Sequence, residues 1–255
     1  MKLVNFLPSK KGRFFKDSAV DLTTNLVAYW DFDTSFNEYI ANQSPIANTA
    51  NRVNSGGILD GYTNFPSNHY VDYLHQSRYN LCDANSDIPF SFSFWVYCTS
   101  MSQIGNWIIN KRQNSSSLNE WQVLIQADKS VGLSKQTTNA SSYISVVSQA
   151  NVISLNNWHH VVLTDNKTTN DVSSAKIYID SISIPCTLSS VGTYTKMSPL
   201  NGSIRFGNAG WGANGILSHR GNIDEMAIWK DRVLTQEEVN VLYNSGNPVK
   251  LMNYL

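Results

Sequence analysis

Residues Asn156 to Val162 read "NNWHHVV". Two of the chain's five histidines stand side by side here, directly after a tryptophan. Such a pair invites a metal-binding or catalytic reading, but the surrounding pattern argues against it. Trp158 to Thr164 is a β-branched and aromatic run that follows an Asn-rich turn, which is the signature of a strand. Neighbouring side chains on a strand point to opposite faces. His159 then shares a face with Val161 and Leu163, and His160 with Trp158 and Val162. The two imidazoles cannot converge on one atom. No H-x-H or H-E-x-x-H motif elsewhere completes a site with either of them. Both histidines are expected to be bonded within the fold.

The same pattern repeats in both directions from this strand. Short β-branched and aromatic runs alternate with Asn/Gly/Ser clusters, and helical periodicity is nearly absent. Strands are predicted at Leu26–Phe32, Phe90–Tyr97, Trp121–Gln126, Trp158–Thr164, Ala175–Ile179, Ser203–Phe206 and Asn222–Trp229. "FSFSFWVY" sets Phe90, Phe92, Phe94 and Val96 on one side and Ser91 and Ser93 on the other, with Trp95 and Tyr97 extending the second face. One helix is predicted. Thr235 is its N-cap, with Glu238 three residues on as a capping box, and Val239, Leu242 and Tyr243 form its apolar stripe. Gly246 is the expected stop, and Pro248 forbids continuation. The expected architecture is all-β: a two-sheet antiparallel sandwich with one short C-terminal helix.

Composition narrows the function classes. The chain has 255 residues, 42% of them apolar, enough for one sizeable core. Nineteen basic residues balance nineteen acidic ones, which argues against a nucleic-acid partner. Only 15% of residues are charged, so the expected surface is polar and neutral, suited to glycan contact or to packing in an assembly. Three cysteines, Cys82, Cys98 and Cys186, without C-x-x-C argue against a disulfide framework or structural zinc. No apolar stretch reaches membrane-spanning length. Residues 1–24 are basic with aperiodic apolar side chains and lack a secretory-signal pattern; they read as an extended arm that docks on a partner. Residues 25–246 form the predicted sandwich and 247–255 a C-terminal tail.

A family resemblance joins these pieces. "LVAYWDFD", "YVDYL" at Tyr70–Leu74, "PFSFSFWVY", "WIINKR", "NNWHHVVLT", "KIYIDS", "SIRFGN" and "GNIDEMAIWKDRVLTQEEVNVLYNSG" stand in one order. That order resembles the laminin-G-like, concanavalin-A-like lectin/glucanase sandwich over roughly residues 25–246. The resemblance implies two packed antiparallel sheets with jelly-roll connections. It also implies a structural calcium held by the acid of W-x-F-D, an acid in a following turn and the acid of I-D-E. Those positions map to Asp33, Asn42 in "ANQSP" and Asp224, with asparagine replacing the middle acid.

Enzymes of this superfold need acids on alternate residues of one strand, as in E-x-D-x-x-E. Here Asp224 and Glu225 are adjacent and therefore opposed, and Glu120 and Asp128 lie too far apart. Asp31 and Asp33 share a face, but the resemblance makes Asp33 a structural end-of-strand acid. "GWGANG" at Gly210–Gly215 fits G-x-G-x-x-G, yet loop and strand follow it rather than a helix, so it reads as a loop. That loop offers Trp211 for stacking on a sugar ring, with Asn214, His219 and Tyr62 as further loop-borne ligand candidates. The first expectation is a non-catalytic recognition module for a glycan or a surface protein. The alternative is a structural or decorating protein of a phage virion, anchored to other virion proteins by residues 1–24. Both readings place the chain outside cells or on a virion surface, as part of an oligomer or larger assembly.

Overall fold

Phe90, Phe92, Phe94, Val96 and Cys98 all lie on one face of a single strand and are fully buried. A nine-residue strand with such a face needs a second sheet against it. The computed structural model describes residues 20–113, 118–137, 142–167, 169, 171–210 and 217–254. In chain order its strands are β1 (Leu26–Trp30), β2 (Ala47–Asn48), β3 (Asn51–Val53), β4 (Tyr62–Phe65), β5 (Val71–Tyr73), β6 (Phe90–Cys98), β7 (Gly105–Arg112) and β8 (Asn119–Gln126). They continue as β9 (Val131–Gln136), β10 (Tyr143–Ser148), β11 (Trp158–Asp165), β12 (Ala175–Ile179), β13 (Ile182–Ile184), β14 (Cys186–Val191), β15 (Ser203–Phe206) and β16 (Gly221–Lys230).

Sheet I runs β13-β12-β11-β6-β16-β4-β3, with β1 also paired to β16. Sheet II runs β14-β10-β9-β8-β7-β15-β5-β2. The jumps between sequence neighbours are those of a jelly-roll sandwich. Between the sheets lies an aromatic core in which Trp30 meets Phe206 at 4.9 Å and Phe92 meets Trp121 at 5.0 Å. Burying each such ring contributes roughly 1.5–3 kcal/mol or more.

Two departures from the sequence reading concern where elements stop. β1 ends at Trp30 rather than Phe32, because Phe32 takes φ 55° and breaks the ladder while its ring stays in the core. The helix, α1 (Gln236–Tyr243), is capped by Thr235 and Glu238 as expected, but Asn244, at φ 42°, ends it two residues before Gly246. Asparagine tolerates the left-handed region well enough to take the glycine's place.

The outer face of sheet I is half covered. Val239 and Leu242 of α1 pack with Leu251 of the tail onto Val162, Tyr178, Ala227 and Trp229. Leu22 joins the same cluster, and its carbonyl accepts from the Trp229 indole at 2.8 Å. Residues 20–24, which the sequence assigns to the arm, therefore dock on the sandwich. Residues 1–19 lie outside the described residues. The three cysteines are free.

Candidate functional site

Strand alternation leaves the other half of sheet I's outer face open. Register aligns a row across it. Trp158 of β11 stands opposite Tyr97 of β6, Tyr97 opposite Asn222 of β16, Asn222 opposite Asn64 of β4, and Asn64 opposite Asn51 of β3. At about 4.8 Å per strand, five strands span roughly 19 Å. Tyr62, two residues from Asn64, reaches the same row. Its ring meets Trp158 edge-on at 6.1 Å, and Trp158 meets Tyr97 at 5.6 Å. All three rings are half-buried rather than sealed. The Asn64 amide donates to the Asn222 carbonyl oxygen at 2.7 Å, which fixes both carboxamides beside the rings. The result is a ridge of aromatic rings with fixed amide donors and acceptors along one flank. Such a surface can stack on the C–H face of a sugar and bond its hydroxyls.

α1 covers the middle of the same face. Trp95, His160 and Tyr243 stack there, with Trp95 5.0 Å from His160 and 5.8 Å from Tyr243. His160 Nε2 shares a hydrogen bond of 2.8 Å with Ser93 Oγ, and full burial holds its pKa down at about 3. His159 lies on the opposite side of the strand. Its Nδ1 is 2.8 Å from Asp180, and its Nε2 meets Ser154 Oγ at 2.7 Å. The two imidazoles are thus separated, as the alternation requires. A cavity of about 10 Å³ lies among Ser93, His160 and Glu225, too tight for anything larger than a water.

A cluster of acids borders this region. β16 bulges between Asp224 and Ala227, with Glu225 at φ 50°. Asp224 reaches the loop Gly57–Gly61. Its Oδ2 accepts from the Ile58 and Leu59 amides at 3.1 and 3.4 Å, and its Oδ1 accepts from the Glu225 amide at 2.9 Å. Asp33 Oδ1 accepts from the Gly61 amide at 2.7 Å. A Cβ on Gly57 would clash with the Gly61 carbonyl and lie 2.7 Å from Asp224 Oδ2, so glycine lets this loop close on the acids. Burial, then the Glu225 charge, pushes Asp224 up to about 10. Burial also raises Glu225, whose Oε2 accepts from the Tyr29 hydroxyl.

Two cations touch Asp33: the Arg52 guanidinium donates to its backbone carbonyl at 2.6 Å, and Lys250 reaches its carboxylate. The Lys250 Nζ donates to Asp33 Oδ2 and lies 3.6 Å from Asp60. Burial alone would lower the Lys250 pKa, but the hydrogen bond and charge of Asp33 raise it on balance. Calcium needs six to eight oxygens free to face it. Here the oxygens of Asp33 and Asp224 face N–H donors and an ammonium. Asn42 sits exposed in its own turn, where its Oδ1 accepts from Asn37 at 3.2 Å. The structure brings Asp33 and Asp224 together and leaves Asn42 apart, an arrangement that does not fit a calcium ion. Among the described residues, no group of three or more His, Cys, Asp or Glu side chains is set to hold a metal.

Of the ligand candidates, Tyr62 lies in the aromatic row. His219 is fully buried against Phe65, 5.9 Å away, and burial lowers its pKa to about 4. No ligand reaches its ring in this conformation. Trp211 and Asn214 lie outside the described residues. Sequence reasoning passes over Trp158, Tyr97, Asn64 and Asn222. Alternation around "WHHVV" and "FWVY" already sets Trp158 and Tyr97 outward, but only register aligns them. Glu120 is fully buried, bonded to Lys111 and to the Leu81 and Leu200 amides, so it is structural.

The family model for the concanavalin A-like lectin/glucanases superfamily matches residues 68–240. No curated protein matches the chain. Among solved structures, the binding domain of Paraclostridial mosquitocidal protein 1 aligns at TM-score 0.66 and 18% identity, over 87% of this chain and 52% of that one. The botulinum neurotoxin serotype G binding domain aligns at 0.58 and 17% identity, over 86% and 50%. The chain thus spans about half the length of these toxin domains. Domain 4 of AbnA, a GH43 extracellular arabinanase from Geobacillus stearothermophilus solved with arabinotriose, aligns at 0.55 and 16% identity, over 84% and 96%. At such identities the likeness concerns the fold.

Proposed function

The chain belongs to the concanavalin A-like lectin/glucanase superfamily, and from that premise we propose that it is a non-catalytic module that binds glycans on the open half of sheet I. The observation that carries this reading is the row Trp158, Tyr97, Tyr62 with the bonded Asn64–Asn222 pair. Three half-buried rings on β11, β6 and β4 keep solvent access on the outer face of sheet I, away from the core between the sheets. Aromatics set beside fixed amides are a common way to hold a sugar ring. The similar toxin structures are binding domains, and the arabinanase domain was solved with an oligosaccharide, which supports a binding role. The acids argue the same way. Hydrolysis needs two carboxyls flanking an open substrate site. Asp224 and Glu225 are instead buried and bonded to backbone and Tyr29. Display on a particle or cell surface through residues 1–19, the part of the expected arm that precedes the docked residues 20–24, is the fuller form of this reading and rests on the sequence alone.

A glycan microarray probed with the full chain and with Trp158→Ala tests the reading. The expected result is binding to at least one neutral oligosaccharide, weakened about tenfold or more in the variant, a loss of roughly 1.4 kcal/mol. Unchanged binding by a correctly folded Trp158→Ala protein would overturn it, as would no binding by the native chain.

A further inference from the structure

Strand β11 carries Trp158, His160, Val162 and Thr164 on the outer face of sheet I. α1 and the tail cover His160 and Val162 in the middle. Trp158 lies in the aromatic row at one end. Thr164, six residues and about 20 Å along the strand, lies at the other end. There the structure forms an open trough of about 410 Å³. That volume is within the range of small-molecule sites, about 300–1,000 Å³.

The trough has a defined floor and walls. Thr164, Tyr178 and Leu234 form the floor and are almost fully buried. Lys176, directly opposite Thr164 on β12, rises with Asn166 on one side. The start of α1, with Gln236, forms the other side. Lys176 is the single charged residue among the described lining residues. Its ammonium makes no ion pair within the described residues, and the Thr164 and Tyr178 hydroxyls bond to no described protein group. A floor of two unengaged hydroxyls beside one unengaged ammonium is set up to meet polar groups from outside.

We propose that this trough is a second saccharide site, separate from the aromatic row, that takes a sugar bearing one carboxylate. The carboxylate meets Lys176 Nζ, and the ring hydroxyls meet Thr164, Tyr178 and the Asn166 carboxamide. One lysine matches a monoanion. Among the described residues the lining holds no guanidinium, the group that would grip a phosphate or sulfate through a planar fork. The remaining hydroxyls and carboxamides match sugar hydroxyls in donor and acceptor capacity.

The test is a titration of the full chain, followed by NMR, with methyl β-D-glucuronide, methyl β-D-glucoside and glucose 6-phosphate as probes. The expected result is saturable binding of the glucuronide, tighter than that of the glucoside. Lys176→Met weakens it about tenfold, and Thr164→Val also weakens it. Lys176 is exposed, so its variant keeps the fold. Trp158→Ala leaves glucuronide binding intact, which separates this site from the aromatic row. Three results would overturn the proposal: no saturable glucuronide binding, Lys176→Met binding like the native chain, or tighter binding of the phosphate ester than of the glucuronide. Loss of glucuronide binding in Trp158→Ala would also overturn it, because that result moves the sugar to the row. If oligosaccharide binding at the row fails while the glucuronide binds here, the earlier reading falls and this one stands.

Discussion

Replacing Lys250 with methionine keeps the alkyl stem and removes the ammonium bonded to the Asp33 carboxylate. Asp33 is then left almost fully buried, with the Gly61 amide as a donor and with Asp224 and Glu225 as neighbours. Exposed ion pairs contribute about 0–1 kcal/mol, and breaking a fully buried one costs about 3–5 kcal/mol. The Lys250–Asp33 pair lies between these limits, with side-chain exposures of 21% and 5%. Asp60, 77% exposed, adds little. The expected cost is about 2–3 kcal/mol, or roughly 5–10 °C in melting temperature for a chain of this size. The pH dependence has a definite sign. The folded pKa of Lys250 is raised above 10.5, so its contribution is fully present below the unfolded value and fades as pH rises through the folded one. The deficit of Lys250→Met measured by calorimetry should therefore stay constant from pH 7 to about 9. A double-mutant cycle with Asp33→Asn should return a coupling of about 1 kcal/mol or more. A melting temperature within about 1 °C of the native chain would refute the reasoning.

Glu225→Gln should stabilise the protein, by a margin that grows as pH rises from about 4.3. Burial raises the native carboxyl well above its ordinary value, so the native state holds a proton that the unfolded chain releases, and its stability falls over that range. Urea unfolding at pH 5 and pH 8 measures the gap, and an unchanged gap contradicts the assignment. Millimolar calcium should leave the melting temperature of the native chain unchanged, because Asp33 and Asp224 already face N–H donors and Lys250. A calcium-dependent rise would restore the metal reading.

The seven strands expected from alternation all form, because alternation records which face is buried. Register leaves no such local mark. Trp158, Tyr97, Asn222 and Asn64 come from four separate strands and meet only because β11, β6, β16 and β4 are neighbours in one sheet. Tyr62 is legible as a polar-tipped aromatic near a turn, but its partner Trp158 reads in the sequence only as a marker of the fold. Lys250 meets Asp33 across 217 positions, a contact no local pattern announces. His219 stands in a polar loop by sequence, yet its amide bonds the Gly207 carbonyl at 2.7 Å and its ring turns inward onto Phe65. The resemblance puts Asp33 and Asp224 together, and the structure does the same. No sequence pattern shows that the loop Gly57–Gly61 and a C-terminal lysine supply their partners.

The central claim is that the open half of sheet I holds the glycan. An NMR titration of the nitrogen-15-labelled full chain with an oligosaccharide that binds on the array tests it residue by residue. The Trp158 indole and the Asn64 and Asn222 carboxamide signals are predicted to shift and saturate together. The Trp107 indole, bonded to Gln122 on sheet II, should stay still. Shifts centred on Trp107 and Gln122, with Trp158 unmoved, would contradict it.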